Sequence, residues 1–376
     1  MAASTIPFVD VAADWSELKV DALARIAQVF EHGQFIAGPE VGELEARLAV
    51  EVGVRHAIAC SSGTTALLIA LMGLGVEAGD EIILPAFTFA APLECVLLAG
   101  AVPVLADVDP ATCLIDVEAV STLIGPKTRA VIGVCLYGQP ADFGRLRVLG
   151  AQRGIAVIED AAQSYGATLA GKPSGGLATI GCTSFYPTKP LGAAGDGGAL
   201  FTDDDALAAR SREIRDHGQA GKYNHIRLGL NGRLGSIASA ALLARLGSTK
   251  QAVSRRKLAA QRYDALLEEV ARDRRLLLPS LLATASSAFA HYAVQVGRRD
   301  QVMEAMLRAG VQVAVHYPAP LHHQPAYRGR VSFRSLATSE AVASRVLCLP
   351  IYPTLLPEQQ ERVVSILIEA LSGRGD

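Results

Sequence analysis

The stretch from Gly154 to Phe201 combines the residue types that covalent cofactor chemistry requires. An apolar run, Ile155–Ile158, leads into the acid Asp160. Gln163 follows three residues later and is expected on the same face of a helix. Lys189 stands further on, in a loop rich in glycine and proline. A carboxylate at the end of a buried strand needs a cation or hydrogen-bond donors, and a partly desolvated lysine can act as an amine nucleophile. The pattern indicates pyridoxal phosphate chemistry, in which a carboxylate faces the pyridinium nitrogen.

A second motif, Ser61–Thr65, has the composition of an anion site. It lies between a short apolar strand and an apolar helix, and Gly63 allows the backbone to approach a ligand closely. The first N–H groups of a helix have no intrahelical acceptor and bind anions. Ser184 and the amides of Gly63 and Thr64 are therefore the predicted phosphate ligands.

Each of these features also has an ordinary structural explanation. A single lysine usually lies on the surface, Asp160 could cap a helix, and the serine-threonine motif could be a plain capped helix. Two aromatics, Phe87 and Phe89, lie in the turn after the predicted strand 81–84. We expect one of them to be a core residue and the other to form a stacking platform.

The elements around these residues predict an α/β fold. Strands, short turns and helices alternate from about residue 56 to 201, which is typical of a largely parallel, doubly wound sheet. In such sheets ligands bind at the carboxyl ends of the strands, and the candidate residues fall at or just after those ends. The predicted strands are 57–60, 81–84, 102–106, 130–137 and 155–158, with another at 292–296.

Helical periodicity surrounds and follows these strands. Helices are predicted over 16–31, across Val41, Leu44 and Leu48, and then over 90–99, 144–153, 206–216, 236–246, 250–272, 301–309 and after Pro357. The basic face of 250–272 (Arg255, Arg256, Lys257 and Arg262) is predicted to be solvated. A shift in composition predicts a large cofactor-binding domain at 1–247 and a smaller C-terminal α/β domain at 248–376.

Composition narrows the class of protein. The 376 residues are 50% hydrophobic and 19% charged, with a net charge of −2, which argues against disorder and against a nucleic-acid partner. The six cysteines are scattered without zinc-ligand spacing, so we expect reduced buried thiols and no metal. With no signal peptide, and no apolar run near the roughly 20 residues that span a bilayer, a soluble cytoplasmic protein is predicted. No GxGxxG follows a strand near the start, which disfavours a nicotinamide dehydrogenase.

Seven motifs in order along most of the chain carry a family resemblance. The sequence resembles the nucleotide-sugar aminotransferases of the DegT/DnrJ/EryC1/StrS group, which have the fold-type I pyridoxal phosphate architecture. The motifs are GQFIAGPEV (33–41), SSGTTAL (61–67), LPAFTFAAP (84–92), EDAAQSYGA (159–167), SFYPTKPLGAAGDGGAL (184–200), LGLNGR (228–233) and HYPAPLHHQPAY (316–327).

The resemblance implies roles for the residues around a pyridoxal 5'-phosphate ring. Lys189 would bond covalently to the cofactor and shuttle the proton. Asp160 would bind the pyridine nitrogen and Gln163 the 3-oxygen, while Phe89 would stack on the ring.

The resemblance also implies how the phosphate and the substrate are held. Ser184, Gly63 and Thr64 would bind the phosphate, and Asn231 would reach it from the neighbouring subunit of a homodimer. Near the sugar nucleotide it places three residues: Arg233, His316 and Tyr317.

The reaction implied is amine transfer from glutamate, which becomes 2-oxoglutarate, to a keto nucleotide-sugar. Members with His at the position of Lys189 remove a hydroxyl instead, so Lys189 favours transamination over a sugar dehydratase. The sequence of residues 184–198 most resembles that of members acting on UDP-2-acetamido-2-deoxy-3-keto-glucuronic acid. Those members contribute to bacterial surface polysaccharides such as lipopolysaccharide O-antigen. A 4-keto-6-deoxy nucleotide sugar, a keto-inositol and a non-catalytic sensor role remain alternatives.

Overall fold

The computed structural model describes residues 5–372. The helices are α1 Val11–Ser16, α2 Lys19–His32, α3 Pro39–Val52, α4 Gly63–Gly73, α5 Ala91–Leu98, α6 Val117–Leu123, α7 Phe143–Arg153, α8 Asp205–Arg215, α9 Ser236–Leu246, α10 Thr249–Arg272, α11 Arg299–Arg308, α12 Ala337–Arg345 and α13 Pro357–Leu371. The strands are β1 His56–Cys60, β2 Glu81–Pro85, β3 Val102–Ala106, β4 Thr128–Val134, β5 Ala156–Asp160, β6 Thr168–Leu169, β7 Lys172–Pro173, β8 Ile180–Ser184, β9 Gly198–Thr202, β10 Leu276–Leu277, β11 Ala285–Ser286, β12 Tyr292–Val296, β13 Ser332–Phe333 and β14 Val346–Leu349. Short 3₁₀ turns occupy Leu136–Gly138, Leu321–His323 and Pro325–Tyr327.

An eight-stranded sheet with the order β1-β9-β8-β5-β4-β2-β3-β13 forms the centre of the molecule. From β8 to β13 every neighbouring pair is parallel, whereas β9 runs antiparallel to both β1 and β8. The inner strands are apolar along nearly their whole length, as expected where helices cover both faces of a parallel sheet. The predicted α/β fold with a mostly parallel sheet is confirmed.

The strand register brings the candidate residues to one edge of this sheet. Val134 at the end of β4 pairs with Asp160 at the end of β5, and Asp160 in turn pairs with Cys182 on β8. Ser184 ends β8 two residues later. Asp160 and Ser184 therefore lie at the same end of two neighbouring parallel strands, with Ser184 two residues beyond the partner of Asp160.

Most helix boundaries follow from local signals in the sequence. Gly33 ends α2 with a φ of 70°, a left-handed conformation that glycine adopts without strain. Pro39 opens α3, and α9 and β12 have the predicted bounds. α4 is apolar on nearly all sides because it is buried against the sheet.

A second hydrophobic core lies outside the large sheet. The three-stranded sheet β10-β12-β14 packs with α10, α11 and α13 around Tyr263, Tyr292 and Val294. We propose that the two cores mark the domains predicted from composition, 1–247 and 248–376. Two residues pack with the core of the other proposed domain: Ile6, from 1–247, lies in the second core, and Leu321, from 248–376, lies in the first.

Three local predictions are wrong in detail. Gln163 was expected on a helix, but residues 162–166 form turns because the chain enters the β6–β7 hairpin there. The strand predicted over 130–137 ends at Val134, and Tyr137 has a positive φ of 61°. Arg256 is buried rather than solvated, since it donates to the carbonyls of Ile351 and Phe289.

All six cysteines are buried and free of disulfides, as predicted. Within residues 5–372, no helix combines the length and the apolar character needed to cross a membrane.

A buried carboxylate at the end of β5 connects the hairpin to the sheet. Glu159 is 0% exposed and accepts hydrogen bonds from the Ser174 hydroxyl at 2.6 Å and from the backbone N–H groups of Gly175 and Leu177 at 2.7 and 2.9 Å. Burial is the largest influence on this carboxyl group and raises its pKa. The donors satisfy the carboxylate, so its contribution is structural.

We expect Glu159→Gln to lower the free energy of unfolding by about 3 kcal/mol, because an amide nitrogen would face buried donors that need an acceptor. Urea unfolding followed by circular dichroism measures the change. The control is Glu118→Gln, which removes an exposed ion pair with Arg145 and should change stability by less than about 1 kcal/mol. Equal losses in the two variants would contradict the structural role of Glu159.

Candidate active site

The N-terminus of α4 and the end of β8 form one side of the candidate site. A Cβ atom on Gly63 would lie 2.7 Å from the Ser184 Cβ, so only glycine permits this approach of helix to strand. Ser62 caps the helix, with its Oγ accepting from the Thr65 N–H at 3.0 Å. The N–H groups of Gly63 and Thr64 belong to the first turn, where a helix offers no acceptor. The structure thus brings together the three predicted phosphate ligands.

Lys189 occupies a tight loop between β8 and β9. Its N–H donates to the Tyr186 carbonyl at 2.8 Å. A Cβ atom on Gly192 would lie 2.2 Å from the Pro187 carbonyl oxygen, so the loop depends on glycine at that position. The lysine side chain is half-buried, and this burial lowers the pKa of its amine.

Asp160 and Lys189 act on each other electrostatically. Asp160 is 6% exposed, and burial raises its pKa to about 6, while the Lys189 charge acts in the opposite direction. The carboxylate correspondingly raises the pKa of the lysine, partly offsetting desolvation. Among residues 5–372 the Asp160 carboxylate accepts one hydrogen bond, from the Ala162 N–H at 3.0 Å. It therefore retains capacity for a cationic partner.

Gln163 is held by residues from two other parts of the chain. Its Oε1 accepts from the Tyr137 N–H at 2.8 Å, and its Nε2 lies 3.5 Å from the Tyr317 hydroxyl. The side chain is 4% exposed. These contacts fix the orientation of the amide, with the acceptor Oε1 toward Tyr137 and the donor Nε2 toward Tyr317.

The two aromatics of the turn after β2 have different environments, as predicted. Phe87 is fully buried, whereas Phe89 is 55% exposed. The Phe89 ring lies 5.9 Å from the ring of Tyr317, centroid to centroid. Phe89 is therefore the one of the two with a face available for stacking.

Asn231 and Arg233 lie beside the serine-threonine loop, because the Gly232 carbonyl accepts from the Ser61 N–H at 2.8 Å. The Asn231 side chain is exposed, and the Arg233 guanidinium forms an ion pair with Asp216. Within the described part of one chain, residues 5–372, neither side chain forms a hydrogen bond to Lys189 or Asp160. Their predicted roles stay predictions.

Sequence reasoning missed two residues of this region, Tyr137 and His291. The Tyr137 hydroxyl donates to the His316 carbonyl, and the His291 ring lies 4.6 Å from that of His316, centroid to centroid. The Gly138-Gln139-Pro140 turn signal after Tyr137 could have identified the first. His291 carries no local signal, since only the fold brings it to His316.

The residues present fit pyridoxal phosphate. Asp160 is a buried carboxylate with capacity for a pyridinium N–H, and Lys189 is an amine whose pKa burial lowers. Gly63 lacks the Cβ atom that would separate the helix N–H groups from Ser184. Carboxylate, amine and anion site are the donor set that the cofactor's ring nitrogen, aldehyde and phosphate require.

Comparisons with known proteins agree with this geometry. Residues 16–368 match the DegT/DnrJ/EryC1/StrS aminotransferase family. The chain is 44% identical to the UDP-2-acetamido-2-deoxy-3-oxo-D-glucuronate aminotransferase of Pseudomonas aeruginosa, covering 93% of this chain and 96% of that protein. It is 37% identical to the dTDP-3-amino-3,4,6-trideoxy-alpha-D-glucose transaminase of Streptomyces venezuelae, covering 97% and 96%. The crystal structure of NtdA from Bacillus subtilis with bound cofactor PMP superposes with a TM-score of 0.91 at 31% identity, covering 99% and 86%.

The raised pKa of Asp160 predicts a pH-dependent stability in protein freed of pyridoxal phosphate. The pKa of Asp160 is about 6 in the folded state. In the unfolded chain an aspartate has a pKa of about 4. Because the folded state binds this proton more tightly, the proton stabilises the folded state fully below about pH 4, and this stabilisation is lost as pH rises to about 6. The free energy of unfolding should fall by roughly 3 kcal/mol across that range.

The Asp160→Asn variant has no carboxyl proton at this position, so it should not lose this stability as pH rises. The free energy of unfolding, measured for both proteins from pH 4 to 7, checks the expectation. Profiles that stay parallel across this range would show that Asp160 does not carry the raised pKa.

Proposed function

Since this chain belongs to the DegT/DnrJ/EryC1/StrS aminotransferase family, we propose that it transfers an amino group from glutamate to a 3-keto nucleotide-sugar. It is a pyridoxal phosphate-dependent sugar aminotransferase with the family's fold. The substrate that we propose is UDP-2-acetamido-2-deoxy-3-keto-glucuronic acid.

One observation carries the assignment of the site to this chemistry. Lys189 and Asp160 are desolvated together at the carboxyl ends of parallel strands, and each partly offsets the cost of burying the other's charge. Desolvation favours the neutral amine, which is the form that bonds to a carbonyl carbon. Such a pair at a strand end is where α/β folds place reacting groups.

Each residue of the site has a task in this proposal. When bound, the cofactor supplies the electron sink that stabilises negative charge beside the transferred nitrogen. Lys189 takes the proton from one carbon and returns it to another. Asp160 keeps its negative charge against the ring nitrogen, and Gln163, oriented by the Tyr137 N–H, presents its amide to the 3-oxygen. Phe89 offers its exposed face to the ring.

The position of the keto group is the part of the substrate with the broadest support. The Pseudomonas aeruginosa relative is named for a 3-oxo sugar and the Streptomyces venezuelae relative for a 3-amino sugar, although their nucleotides differ. The higher identity to the first favours UDP and the uronic acid. Three residues are proposed to contact the sugar nucleotide: Arg233, His316 and Tyr317.

We also propose that the enzyme is a cytoplasmic homodimer whose subunits share their active sites. Asn231 supports this, because its exposed side chain can meet a phosphate held by the partner's α4. Such an enzyme would contribute to lipopolysaccharide O-antigen or a related surface polysaccharide.

Lys189→Ala should remove the visible absorption band of lysine-bound pyridoxal phosphate and reduce turnover at least about a hundredfold, because both depend on the amine. Absorption spectra and glutamate half-turnover measure the two effects. The matched control is Lys257→Ala, because burial also lowers the pKa of Lys257, which bonds to Ser286 instead. A variant at 189 that kept the wild-type spectrum would rule out Lys189 as the covalent residue.

The substrate is tested by single-turnover amination with the enzyme in its pyridoxamine form. It would receive the proposed UDP-3-keto uronic acid, a 4-keto-6-deoxy nucleotide sugar or a keto-inositol, and the returning visible band would be followed. We expect fast return with the uronic acid alone. Return only with another ketone would retain the aminotransferase and reject the proposed substrate.

A further inference from the structure

Three side chains outside the active site converge on one point of the surface. His322 Nε2 lies 3.0 Å from Glu340 Oε1, and His323 Nε2 lies 3.3 Å from the same oxygen. All three candidate ligand atoms lie within 4.8 Å of one another. His323 and Glu340 are about half-exposed, while His322 is 5% exposed, so the cluster has a buried base and an open side.

The backbones that carry these side chains are anchored to neighbouring strands. The Leu321 N–H donates to the Ala86 carbonyl, just after β2, at 2.8 Å. The N-terminus of α12 is held by Asp107, just after β3, which accepts from the N–H groups of Thr338 and Ser339 at 3.0 and 2.7 Å. The convergence is therefore built into the fold rather than formed by loose surface side chains.

Ring contacts restrict the two imidazoles further. The His322 ring lies 5.0 Å from the Phe333 ring and 4.2 Å from the His323 ring, centroid to centroid. His322 Nδ1 is buried without a hydrogen-bond partner among the described residues. Nε2 is thus the ring nitrogen that faces Glu340, and when the ring proton is on Nδ1 the Nε2 lone pair can bind a metal ion.

Two imidazoles and a carboxylate are a ligand set that Zn²⁺ accepts, with water in the fourth position. Ligand bonds of about 2.0–2.2 Å imply edges of roughly 3.3–3.6 Å between ligand atoms of a tetrahedron. The nitrogen–oxygen distance of His323, 3.3 Å, matches such an edge, and that of His322, 3.0 Å, is slightly shorter. We propose that His322, His323 and Glu340 form a zinc site.

The site would join two segments that are separate in sequence. His322 and His323 belong to the stretch 316–327 that begins with His316 and Tyr317, whereas Glu340 lies in α12. A metal that binds all three in the folded state alone stabilises that state by mass action. The expected affinity is moderate, since an Nδ1 partner is worth about 10–100-fold in metal-binding affinity and His322 has none.

The test is calorimetric titration of the chelator-treated holoenzyme with ZnCl₂. Wild type should bind one Zn²⁺ per chain, and Glu340→Gln and His323→Ala should each weaken binding at least about tenfold, the typical effect of losing a metal-site partner. The half-exposed position of His323 makes its variant safe for folding. The melting temperature should rise with zinc in wild type but not in these variants.

The matched control is Asp205→Asn, which alters another surface histidine–carboxylate pair, His56 with Asp205 at 2.7 Å, that lacks a second histidine. The Asp205→Asn variant should bind zinc with the same affinity and stoichiometry as wild type. Unchanged affinity in both Glu340→Gln and His323→Ala, or no stoichiometric uptake by wild type, would overturn the proposal. Neither readout depends on turnover, so the result is independent of the proposed reaction.

Discussion

The burial of two adjacent carboxylates at the end of β5 is the constraint on which the rest of the structure depends. Side chains at successive strand positions point to opposite faces, so Glu159 and Asp160 face different environments. Glu159 is satisfied by a hydroxyl and two backbone N–H groups of the 174–177 segment. Asp160 has one backbone donor and the charge of Lys189. The first carboxylate therefore holds the fold together, and the second remains available for chemistry.

Close approaches of backbone make that arrangement possible. Gly63 allows α4 to touch Ser184, and Gly192 closes the loop that carries Lys189. A Cβ atom on Gly198 would lie 2.5 Å from the Ser62 carbonyl group, so β9 also meets the serine-threonine loop through glycine. The geometry of the candidate site thus depends on glycines that remove side-chain volume where strand, helix and loop meet.

Much of the fold and part of the site could be predicted from the sequence. Periodicity placed α9 and β12 at their observed bounds, because an apolar pattern reports which face of an element is buried. Glycine and proline located turns through their backbone preferences. The position of Asp160, Ser184 and Lys189 at one sheet edge followed from the rule that parallel strands end together.

The sequence by itself thus determined the features that depend on neighbouring residues in the chain: strand ends, helix caps, turns and the order of the chemical motifs. The tertiary structure decided which distant residues meet. It buried Arg256 against the carbonyl of Ile351, paired the Tyr137 N–H with Gln163, and brought His322 and His323 to Glu340. No local pattern records these contacts, because each depends on chain segments that become neighbours only when the cores pack.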